Sequence, residues 1–88
     1  MGFFSKKTKI DYDVLFKEQY KSINQLMMQA NEELDFVIKQ SLLEVVVEKY
    51  NQLLECIDNG ATFDKEHFIS LQQSAIKELE SIKSINNG

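Results

Sequence analysis

His67 and Cys56 are the chain's whole supply of imidazole and thiol. A tetrahedral Cys/His zinc site normally takes four such ligands, so one chain cannot build it. A carboxylate-bridged di-metal centre in a helical bundle draws a Glu-x-x-His pair from each of two helices. Here the residue three before His67 is Asp64, and a symmetric dimer would duplicate only that pair. His67, in the first turn of a helix starting after Asp64, reads as a surface histidine. Cys56 stands beside Ile57 with no Lys or His next to it in sequence to stabilise a thiolate, and reads as a small core residue. No Gly-x-Ser-x-Gly turn and no glycine-rich phosphate loop occurs. A site formed across a dimer would need Tyr20, Tyr50, Lys21 or His67 to converge, and their spacing gives no reason for it. The expectation is a non-enzymatic protein without cofactor or metal.

Acidic groups recur at Glu32, Glu33 and Asp35, at Glu44 and Glu48, and at Glu55 and Asp58. Lys17, Lys21 and Lys49 interleave with them, and no twelve-residue calcium loop with alternating oxygen ligands is present. They read as a solvated helix face. Fourteen acids against ten bases give a net charge of −4, and every base is lysine. The chain thus lacks the planar arginine fork that grips phosphates and guanine edges, and it has no basic stripe to neutralise a phosphate backbone. Nucleic acid is excluded as an expected partner.

These residues need elements to hold them, and the composition favours long helices. Proline is absent, and of the three glycines only Gly60 lies away from the ends. Residues 1–10 form a basic, aromatic tail with Phe3, Phe4, Lys6, Lys7 and Lys9, readable as a weak membrane contact or as a frayed end. Lys6 stands where a myristoylation motif wants Ser or Thr, and no apolar run reaches the length of a membrane span. Cytoplasm is the expected compartment, with a membrane-peripheral place as the alternative.

Residues 11–88 read as a single helical domain. Asp11 is a natural N-cap, with Ile10 and Leu15 at hydrophobic-staple positions and Asp13 in the first turn. From there Phe16, Tyr20, Ile23, Met27, Ala30, Leu34 and Val37 alternate steps of four and three. Past Val37 the spacing stutters through Ile38, Leu42, Val46 and Tyr50 before Leu53 and Ile57 resume it. Leu42, Leu43, Val45, Val46 and Val47 cover more than one face, which predicts burial on two sides. Asp58-Asn59-Gly60 must end this helix. Asp64 caps the last one, with Phe63 and Phe68 at staple positions and Leu71, Ala75, Leu79 and Ile82 continuing an apolar stripe to about Ile85.

The fold class is all-α. The favoured architecture is a helical hairpin or bundle with one long helix over about 11–58, continuous or else kinked or broken, and a shorter antiparallel helix over about 64–85. The alternative is a three-helix bundle reversing near 29–31; internal caps are available at Asn31 and at Ser41-Leu-Leu-Glu44. A continuous 11–58 helix would run about 70 Å, too far for the last helix to cover. Phe16, Tyr20, Ile23, Met27, Leu34 and Val37 would then need a partner, with Met28, Val45 and Val47 as further contacts. That area argument predicts an interaction or regulatory protein that self-associates and presents helix faces to a protein partner.

Overall fold

A computed structural model describes residues 10–87 as three α-helices: α1 (Tyr12–Glu32), α2 (Phe36–Asp58) and α3 (Lys65–Asn87). The continuous helix over 11–58 is therefore corrected, and the three-helix alternative is the observed one. Its reversal falls at Glu33-Leu34-Asp35 rather than at 29–31. Two carboxylates make the break. Asp35 accepts hydrogen bonds from the amides of Val37 at 2.9 Å and Ile38 at 3.3 Å, and Glu33 accepts one from the amide of Asp35 at 3.1 Å. These side chains satisfy first-turn donors that a continuing helix would have bonded to its own carbonyls. Asn31 and Ser41 cap nothing: both lie within helices, and the Ser41 hydroxyl donates back to the Val37 carbonyl.

The two other predicted caps are present. Asp11 accepts from Asp13 and Val14 amides, and Asp64 from the Glu66 amide. At the end of α2 the Ala61 amide reaches the Cys56 carbonyl at 2.9 Å while Gly60 takes a φ of +134°, where any Cβ would be strained.

The central layer is α2. Both α1 and α3 pack against it, and among the described residues no Cα of α1 comes within 8 Å of one in α3. Burial on two sides follows, as its crowded apolar run requires. The working stripe on α2 is Leu43, Val46, Tyr50, Leu53 and Cys56. This keeps the three-four alternation from Leu43 to Leu53 through the predicted stutter, adds a second step of three to Cys56, and leaves Ile38 about half exposed. Every seventh residue of α1 from Phe16, namely Phe16, Ile23 and Ala30, is buried against that stripe. On α3 the buried set is Phe68, Gln72, Ala75, Leu79 and Ile82.

Candidate functional site

Two surface features stand out, one along α1 and one just beyond its C-terminal end. The first is an open groove of about 450 Å³ along α1, walled at one end by the start of α3. Its floor is aromatic. Phe16 stacks on Phe63 with centroids 4.1 Å apart, and Phe68 meets Phe16 edge-on at 4.8 Å and Tyr20 edge-on at 5.2 Å. The loop that brings Phe63 back over Phe16 is held by Asp13, whose carboxylate accepts the Thr62 amide at 2.8 Å and its hydroxyl at 3.2 Å. The remaining lining comes from Lys17, Lys21, Asn24, Gln25 and a Met28 that is 62% exposed. Among the described residues Lys17 and Lys21 are the only charges in that lining, and neither pairs with a carboxylate there.

The second feature is the α1–α2 turn. Leu34 is 92% exposed, and Val37, Ile38 and Phe36 follow it into solvent. The C-terminal end of α3 lies alongside, because the Asn86 carboxamide donates to the Phe36 carbonyl at 3.0 Å and to Gln40 at 2.8 Å. Ile85 is exposed at that end too. Glu32, Glu33 and Asp35 flank the apolar side chains, with no lysine between Lys21 and Lys39.

The residues predicted to contact a partner divide three ways. Phe16 and Ile23 are buried within the chain, Tyr20, Met27 and Val47 are half-buried, and Met28, Leu34, Val37 and Val45 are exposed. The premise that the Phe16-to-Met27 seam lies open is thus corrected: the reversal lets α2 cover it. The membrane contacts assigned to Phe3, Phe4, Lys6, Lys7 and Lys9 lie outside the described residues. Within the described residues no helix is long and apolar enough to cross a membrane.

Of the groups singled out for chemistry, Tyr20 and Lys21 line the same groove, and Tyr50 lies near enough to Tyr20 to be shifted by it. His67 is exposed and sits edge-on to Phe68 at 5.0 Å. Among the described residues no cluster of three His, Cys, Asp or Glu side chains is arranged to hold a metal. Cys56 is buried, and burial first and the charge of Glu55 second push its thiol up, away from the thiolate a nucleophile needs. Tyr50 is pushed up by burial and then by Tyr20.

Two polar residues bury side-chain atoms without any motif in the sequence to mark them. Gln72 sits within the apolar stripe of α3 and is buried, its carboxamide donating to Asn51 at 2.8 Å and to the Val47 carbonyl at 3.2 Å. Gln19 buries a carboxamide oxygen that has no hydrogen-bond partner among the described residues. A polar residue at a stripe position is the only signal that pointed to Gln72, and periodicity reads it as an interruption rather than a contact.

No protein-family model matches this chain, and no curated protein or solved structure is significantly similar to it.

Proposed function

We propose that this chain is a small, non-enzymatic interaction or regulatory protein that acts through protein–protein contacts and self-associates. The observation that carries the reading is the apolar tip at the α1–α2 turn. Single exposed apolar side chains are ordinary on a protein surface. Leu34, Phe36, Val37 and Ile38 are exposed together, however, with Ile85 at the same end. A run of this kind, rimmed by charge, is the usual mark of a contact surface. It replaces the longer seam, which the fold covers by itself.

The test is the mass of the full chain in solution by light scattering, from micromolar to millimolar concentration. The wild-type mass is expected to rise above the monomer. A Leu34→Asp/Val37→Asp variant, altered only at exposed positions, is expected to remain monomeric across the range. A wild-type chain that stays monomeric at millimolar concentration overturns self-association.

A further inference from the structure

The two surface features complement each other. The tip offers aliphatic side chains flanked by Glu32, Glu33 and Asp35, and the groove offers an aromatic floor edged by Lys17 and Lys21. Phe16 and Glu32, at the end of α1 beside the tip, are separated by about 24 Å of helical rise, and α1 between them is unbroken. A tip therefore cannot reach the groove of its own chain. We infer that the occupant of the groove is a second copy: the acidic apolar tip of one molecule docks in the lysine-edged aromatic groove of the next.

Charge selects this occupant. The basic segment at the N-terminus carries Phe3 and Phe4 but also Lys6, Lys7 and Lys9, which would bring like charges against Lys17 and Lys21. The tip brings opposite charges, with Glu32 exposed and free of side-chain hydrogen bonds among the described residues. Met28, with its flexible thioether, forms a wall able to adjust to aliphatic groups. The proposed contact is heterologous, so in a docked pair one molecule keeps a free groove and the other a free tip. Assembly then proceeds past a dimer, to a ring if the rotation closes or to a filament if it does not.

The inference rests on the self-association proposed above, and a complementation experiment separates the two. One variant, Leu34→Asp, spoils the tip; the other, Lys17→Glu/Lys21→Glu, spoils the groove. Both change exposed side chains, and far-ultraviolet circular dichroism checks that each stays helical. Sedimentation velocity is expected to find the wild type growing past dimer with concentration and shrinking in high salt. Each variant alone should be monomeric. An equimolar mixture should give a one-to-one dimer, because the intact tip of the groove variant fits the intact groove of the tip variant. Glu32→Lys, which alters the tip and leaves the groove as in the wild type, should weaken assembly, and pairing that chain with the Lys17→Glu/Lys21→Glu chain should restore it. A wild type that stops at dimer, with a mixture that remains monomeric, overturns the head-to-tail contact and leaves self-association standing. Association that survives Lys17→Glu/Lys21→Glu assigns the groove to another occupant and also overturns it. A wild type monomeric at every concentration overturns both.

Discussion

The two ends of the bundle dispose of their apolar side chains in opposite ways. Where α2 meets α3, Phe16, Tyr20, Phe63 and Phe68 pack on one another, and Asp13 fastens the loop through Thr62. At the α1–α2 turn the buried cluster is small, with Ala30, Leu43, Leu79 and Ile82, while Leu34, Phe36, Val37 and Ile38 lie outside it. Loop length explains the contrast. Between Asp58 and Lys65 there is enough chain to carry Phe63 back over Phe16. Between Glu32 and Phe36 only Glu33, Leu34 and Asp35 intervene, and both Glu33 and Asp35 are committed to backbone amides in the turn. One end covers itself; the other presents its apolar groups to solvent.

The sharpest way to break that contrast is to remove the centre of the covered end. Phe16 is 1% exposed and touches three other aromatic rings. Phe16→Ala is expected to cost about 3–5 kcal/mol, read as a fall in the urea midpoint. A loss below about 1 kcal/mol would mean that this end is no better packed than the tip.

Alkaline pH separates the ends next. Cys56 and Tyr50 both belong to the cluster at the covered end, whereas the cluster at the turn holds no titratable side chain. Their folded-state pKa values are raised above the ordinary 9.0 and 10.0. The folded chain therefore holds these protons more tightly than the unfolded one. Their stability contribution is intact below about pH 9 and is lost as pH climbs through the raised values. The urea midpoint is expected to fall on going from about pH 8 to about pH 11, and a Cys56→Ala/Tyr50→Phe variant should fall less. An equal fall in both chains would place the sensitive groups elsewhere.

The smallest expected effect belongs to the open end. Leu34→Asp at a 92% exposed position should change stability by no more than about 0.5 kcal/mol, although the same change is expected to abolish assembly. A thermal midpoint lowered by many degrees would show that Leu34 supports the fold rather than the surface.

The amino-acid sequence by itself determined the helices and most of their inward faces. Heptad-like spacing identified Phe16 and Ile23 on α1 and Phe68, Ala75, Leu79 and Ile82 on α3, because helical period and apolar burial are local consequences of side-chain order. The caps at Asp11 and Asp64 were legible because each has apolar residues at both staple positions. Asp35 lacks them: Leu34 precedes it, but Lys39 stands at the position that would complete the staple, and no Glu or Gln at residue 38 forms a capping box. In the sequence it is one more acid on a polar face.

Tertiary structure alone decided where the chain turns back and hence which surfaces stay open. A continuous helix and a reversal at Asp35 satisfy nearly the same local preferences. They differ in whether α1 can lay Phe16, Ile23 and Ala30 on α2, a gain of apolar burial between residues far apart in sequence. Once that burial fixes the reversal, Leu34 and Val37 leave the seam they share by spacing with Ile23 and become the tip. Lys17 and Lys21 come to edge a groove whose far wall, Phe63 and Phe68, belongs to a segment more than forty residues away along the chain.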